Sequence, residues 1–154
     1  MPRPNQYPKT DRFKELEAAT KAAGEKDDCG VKALAIVCNI SYKKALDVLT
    51  KIGRQPKSGT AFFDMLEAIK ELGFKSEQME EQYFISDYPK PHAGILKNIT
   101  TNHPDRFPAT WVDGATYLLM CNNHILAVVD GVTHDWTRGR KKHAHSIYQI
   151  KKAS

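Results

Sequence analysis

Residues 30 to 38 read "GVKALAIVC", and they narrow the folding options of this chain more than any other stretch. Apart from Gly30 and Lys32 the run is apolar, so a helix built from it has no broad face to give to water. Such a helix has to be central, with the rest of the chain arranged around it. Asp27, Asp28 and Cys29 stand at its mouth. A structural cysteine belongs inside an apolar run, where Cys38 lies; Cys29 instead begins it, beside a glycine.

The flanking sequence supplies the surround. Residues 1–10 carry Pro2, Pro4 and Pro8 and read as a flexible arm. "DRFKELEAATKAAG" is a helix with Gly24 as its stop. Asp27 or Asp28 caps the central helix over Gly30 to Asn39. Ser41 opens a third helix with Ala45, Leu46, Leu49 and Ile52 on one face and Gly53 as its stop. "GRQPKSG" is a loop. Thr60 caps a fourth helix, "AFFDMLEAIKELG", whose stripe is Phe62, Leu66, Ile69 and Leu72, with Phe63 as an alternative start. After Gly73 the period changes. "FKSEQME" alternates like a strand, "YFISDYPKPH" is broken by prolines, and "AGILKNITTNHPDRF" holds a short helix ending before Pro104. "ATYLLMC", "HILAVVD", "VTHDWT" and "SIYQIKK" read as four strands, with Asp130-Gly131 as a hairpin turn. Helices first and an antiparallel sheet second give an α+β domain, taken as one unit over residues 1–154.

Composition excludes several classes. With 154 residues, 41% hydrophobic and 27% charged, the chain has material for a core and is not a disordered segment. The net charge of +5 permits an acidic partner without demanding nucleic acid. "ALAIVC" and "ILAVV" are too short to span a membrane, and "MPRPNQYPKTDRF" lacks the apolar centre of a signal peptide. Three cysteines without a C-x-x-C pair argue against a disulfide framework and for a reducing cytoplasm.

Cys29 stands where unpaired N–H groups and the partial positive charge of a helix start stabilise a thiolate. Asp27 and Asp28 oppose that, so a basic partner is needed. Gly30 removes a side chain where substrate backbone can approach. The bland alternative is an inert buried cysteine. Among the six histidines, His92 and His103 lie beside prolines, and His143 and His145 follow "RGRKK" as solvated loop residues. His124 and His134 remain. His124 opens the most apolar strand, held firmly at its rim. A two-residue turn at Asp130-Gly131 sets Val129 opposite Val132, Leu126 opposite Asp135 and His124 opposite Thr137. His124, Leu126 and Asp135 then share a face, and His134 takes the other. Asp135 is diagonal to His124 at roughly 7–8 Å, whereas Asp130 lies roughly 20 Å along the strand. Cys29, His124 and Asp135 thus form a candidate nucleophile, base and orienting carboxylate.

Two other readings compete. Cys121 and His124 have a C-x-x-H spacing suggestive of zinc, but alternation within a strand aims them at opposite faces and no fourth ligand is evident. "RGRKK" with Trp136 offers phosphate contacts and a stacking ring for nucleic acid; the commoner role of such a run is a solvated hairpin tip, which can also steer an acidic protein substrate.

"DDCGVKALAIV" followed by "NHILAVVDGVTHDW" resembles the papain-like cysteine peptidase superfamily, nearest to the bacteriocin-processing, double-glycine peptidases and small related phage-type proteins. The resemblance covers most of the chain and matches Cys29, His124 and Asp135 in order. It implies a papain-like fold, no cofactor or metal, and acyl transfer from a protein or peptide substrate to a cysteine. The resemblance also implies a glutamine five or six residues before the cysteine as an oxyanion donor, yet Gly24 and Ala23 stand there. Lys26 or an asparagine is then the substitute to look for, and Lys32 replaces a small residue. The alternative is a non-catalytic module of the same fold, binding a protein or nucleic acid through its basic face; deamidase or transglutaminase-like chemistry would use the same three residues.

Overall fold

The computed structural model describes residues 9–78, 99–100, 114–121, 124–130, 132–135 and 142–153. Four helices come first: α1 (Asp11–Ala22), α2 (Cys29–Val37), α3 (Tyr42–Ile52) and α4 (Phe62–Glu71). The strands are β1 (Phe74–Gln78), β2 (Ile99–Thr100), β3 (Thr116–Cys121), β4 (His124–Val129), β5 (Val132–His134) and β6 (Lys142–Lys152). Five of them form an antiparallel sheet in the order β1-β6-β3-β4-β5, and β2 pairs in parallel with the start of β6. The class is α+β.

The apolar run becomes the centre, as its composition requires. Gly30, Val31 and the whole of Ala33–Val37 are buried, and α2 packs against the other three helices, β3 and β4. Asn39 takes a left-handed conformation just after the helix, and Ile40 N–H donates to the Ala35 carbonyl, a close that asparagine tolerates well. The Arg12 guanidinium reaches over from α1 to the Ile40 carbonyl at 2.5 Å, satisfying an acceptor at this end. Tyr42, Ala45 and Leu49 of α3 and Met65, Ala68 and Ile69 of α4 complete the helical side of the core. Phe62 packs on that core, while Phe63 is 79% exposed, so the stripe begins at Phe62.

The register of β3 and β4 sets Leu118 opposite Ala127 and Met120 opposite Ile125; with Tyr148 and Ile150 of β6, these face the helices. Tyr117, Leu119, Leu126, Val128 and Ile147 occupy the opposite face and are also buried. A strand pair buried on both faces reads as continuous apolar sequence, which accounts for "ATYLLMC" and "HILAVVD". The pairs Val129–Val132, Val128–Thr133 and Ala127–His134 are the register expected from a two-residue turn, and Asp130 has the positive φ that such a turn needs.

Several local expectations are corrected. Thr10 is no loose arm residue: its hydroxyl caps α1 by accepting from Phe13 N–H and contacts His134 Nδ1 at 2.7 Å, while residues 1–8 lie outside the described residues. Asp28 occupies the N-cap position of α2 without a side-chain capping bond, because its carboxylate is engaged elsewhere. Ala61, not Thr60, is the N-cap of α4. The helix expected around residues 93–103 is instead a short strand at Ile99–Thr100, its flanks lying outside the described residues. β6 starts at Lys142 rather than Ser146, so the backbone of His143 and His145 belongs to a strand and not a loop. β5 stops at His134, where the expectation ran to Thr137. No helix among the described residues is long and apolar enough to cross a membrane.

Candidate active site

Cys29 lines a cleft of about 780 Å³. The first turn of α2 with Lys32 forms one side, Thr60 and Phe62 at the start of α4 another, and Cys121 and His124, where β3 meets β4, a third. The loop leading into α2 and the loop after α3 are tied together beside this cleft. Arg54, only 1% exposed along its side chain, holds Glu25 at 3.0 Å and the Lys26 carbonyl at 3.2 Å, and Glu25 also accepts from Lys57 N–H. That bridge fixes the approach of the chain to Cys29. Nothing in "GRQPKSG" marks Arg54 as buried, since a charged loop residue is ordinarily solvated.

The hairpin register delivers His124 to Asp135. His124 Nε2 lies 2.8 Å from Asp135 Oδ1; the imidazole is 14% exposed and the carboxylate 1%. Asp135 falls one residue beyond β5, diagonal to His124, as the parity of the strands requires. Asp130 is engaged at the other end of β4, where its carboxylate accepts from Gly114 N–H at 2.8 Å. His134 points to the other face and meets Thr10.

Nε2 is held by the carboxylate, and the other ring nitrogen, Nδ1, is buried. Burial alone would push the Cys29 pKa up. Hydrogen bonds from His124 and from the Ile125 and Gly30 N–H groups, with the imidazolium charge, outweigh burial and bring it below the ordinary thiol value. His124 shows the mirror effect. Burial would lower its pKa, but hydrogen bonds to Asp135 and Cys29 and the charges of both push it up to about 9. Both shifts favour a thiolate–imidazolium pair, whose titration belongs to the two groups together. Cys38 is the contrast: burial with no compensating donor drives it up to about 12.

Four site expectations change. Asp28 does not set an uncompensated negative charge beside the thiolate. It is 3% exposed, and its Oδ2 accepts from the Thr20 and Tyr42 hydroxyls, both at 2.6 Å. Its Oδ1 meets Lys32 Nζ at 3.3 Å. Burial would raise its pKa, but these donors and the Lys32 charge lower it. Gly30 makes room for the protein itself and not for substrate backbone, since an added Cβ would lie 2.9 Å from both Cβ and Oγ1 of Thr60. Cys121 and His124 face each other as a cross-strand pair rather than pointing apart. The spacing through Asn122-Asn123 was itself the signal, since two residues suffice for a hairpin connection. No group of three or more potential metal ligands occurs among the described residues. Lys26, a candidate oxyanion donor, is exposed and does not line the cleft; Lys32 does.

His92, His103, Asn122, Asn123, Trp136 and Arg138 to Lys141 lie outside the described residues, and Lys142 enters only as the first residue of β6. No protein-family model, curated protein or solved structure matches this chain.

Proposed function

We propose that this chain is a small papain-like cysteine peptidase or amidase that transfers an acyl group from a protein or peptide substrate to Cys29. The observation that carries the reading is the carboxylate–imidazole–thiol relay: Asp135 on His124 at 2.8 Å, and His124 lowering the thiol pKa of Cys29 at a helix start. The α+β arrangement, with the cysteine opening the central helix and the histidine on an antiparallel strand, agrees with the papain-like resemblance of the sequence.

The thiolate of Cys29 attacks the substrate carbonyl, forming a C–S bond while the carbonyl π pair moves to oxygen. The His124 imidazolium gives its Nδ1 proton to the leaving nitrogen, the C–N bond breaks, and the amine departs. Water then loses a proton to Nδ1 and attacks the thioester; the C–S bond breaks as the carbonyl reforms, the acid leaves, and the thiolate–imidazolium pair is restored. Asp135 keeps the ring oriented and the Nε2 proton in place throughout.

Activity-based labelling with a thiol-directed acyl electrophile at neutral pH, followed by mapping of the modified residue, tests the reading. Cys29 is expected to react well ahead of Cys38 and Cys121. Equal rates at all three cysteines would sink it and leave the non-catalytic module standing.

A further inference from the structure

The step that forms the thioester needs more than a nucleophile and a base. Negative charge develops on the carbonyl oxygen, and a preorganised positive group at that point contributes strongly to rate. From the geometry of the cleft we infer that the Lys32 ammonium is that group, a catalytic residue acting with the Cys29 backbone N–H. The inference rests on the acyl-transfer reading and adds a residue to it.

Lys32 stands three residues after Cys29 on α2, a spacing that sets the two Cβ atoms roughly 5–6 Å apart on neighbouring parts of the helix surface. Helical side chains lean towards the N-terminus, so the lysine stem runs back over the turn that carries Cys29 and not away from it. Both residues line the cleft. The side chain is only 12% exposed, so this is not a charge waving in solvent.

Its partners fix the head group without exhausting it. Nζ sits 3.3 Å from Asp28 Oδ1 and 5.1 Å from the centre of the Phe13 ring. Those contacts engage one N–H and one face of the ammonium, leaving donor capacity for an oxygen in the cleft. Asp28 is held in turn, because its other oxygen is bound by Thr20 and Tyr42. Buried carboxylate, two hydroxyls and an aromatic face thus hold a cation in the cleft that Cys29 lines.

The directions agree with the reaction. His124 approaches the sulfur from β4, and the leaving nitrogen must face it to receive the proton. The carbonyl oxygen then points away from the imidazole. Lys32, held against Phe13 and Asp28, enters the same cleft from α2, whereas His124 enters it from β4.

Two reactions of the same sulfur separate this role from a structural one. Acylation of Cys29 by p-nitrophenyl acetate forms a C–S bond, sends the carbonyl π pair to oxygen, and expels p-nitrophenolate as the carbonyl reforms. Alkylation by iodoacetamide displaces iodide directly and develops no charge on a carbonyl oxygen. In Lys32→Met, acylation is expected to fall by roughly 10²-fold or more, the scale for losing one oxyanion donor. Alkylation at the same pH should stay within about threefold of wild type, and Lys32→Arg should recover part of the acylation rate. If the methionine variant does not fold, Asp28→Asn with Lys32→Met removes both charges together and carries the same comparison. Loss of both reactions in step, or of neither, overturns the assignment. A wild-type Cys29 inert to both reagents would instead overturn the acyl-transfer reading, and the role of Lys32 with it.

Discussion

The choice between two aspartates turns on single side chains. Asp135 is buried against His124, whereas Asp130 bonds the Gly114 N–H at the far end of β4. Asp135→Asn removes the charge that holds His124 at about 9 and loosens its tautomer. Alkylation of Cys29 by iodoacetamide, followed from pH 5 to 9, should then slow by roughly tenfold or more on the acid side, where the imidazolium is what keeps the thiol ionised. Hydrolysis of any substrate should lose on the order of 10²–10⁴ in rate. Asp130→Asn keeps an acceptor for Gly114 and a good turn residue, so its profile should overlay wild type. The reverse ranking would mean that the carboxylate on the imidazole has been misassigned.

Between elements, the contact that matters most is α2 against the segment leading into α4. Gly30 lets Thr60 come within the space a Cβ would occupy, with Met65 Sδ a further neighbour at 3.3 Å. Thr60 Oγ1 is buried with no hydrogen-bond partner among the described residues, so the segment is held there by packing. Helix propensity alone says that Gly30→Ala stabilises by up to about 1 kcal/mol. Overpacking says that it destabilises, by about 1–3 kcal/mol, because the obstacle is a short β-branched side chain next to the backbone. The second effect is expected to win. Thermal unfolding should show a lower midpoint for Gly30→Ala, and acylation of Cys29 should slow as the cleft wall shifts. A raised midpoint would show that the wall yields freely.

For the whole molecule, the ionised groups around the cleft set a pH window of stability. Asp28 and Glu25 have folded pKa values below their ordinary ones; burial opposes the shift in each, and hydrogen bonds and neighbouring cations overcome it. Their contribution is present above the unfolded carboxyl pKa, about 4, and is lost as pH falls through the lower folded value. His124 works in the other direction. Its folded pKa of about 9 exceeds the ordinary imidazole value, so its contribution is complete below about pH 6.5 and fades as pH rises through 9. Cys29, with its lowered value, contributes above the ordinary thiol pKa of about 8.5 and loses that as pH falls through its folded value, which opposes the loss from His124 on the alkaline side. The unfolding midpoint should therefore drop in acid as Asp28 and Glu25 protonate, and drop again in alkali as His124 loses its proton and the buried Cys38, held up to about 12, cannot ionise as it would unfolded. Asp28→Asn should flatten the acid flank, and an unchanged flank would show that the Asp28 network does not govern it.

Much of this architecture is legible in the sequence. An apolar run with no polar face announces a central helix, and Gly53, with its positive φ, ends α3 where its position in sequence says it must. The Asp130-Gly131 turn sets the β4–β5 register, and that register alone pairs His124 with Asp135. These readings succeed because period, capping and turn chemistry act between residues close in sequence. Other features were hidden because they depend on residues brought together from far apart. Whether Asp28 caps its own helix or binds Thr20 and Tyr42 is decided by where α1 and α3 deliver two hydroxyls. Whether Gly30 faces substrate or Thr60 is decided by the path of the chain into α4. Whether Lys32 is a solvated charge or a cation held in a cleft is decided by Phe13 and Asp28, and no local pattern encodes that distance.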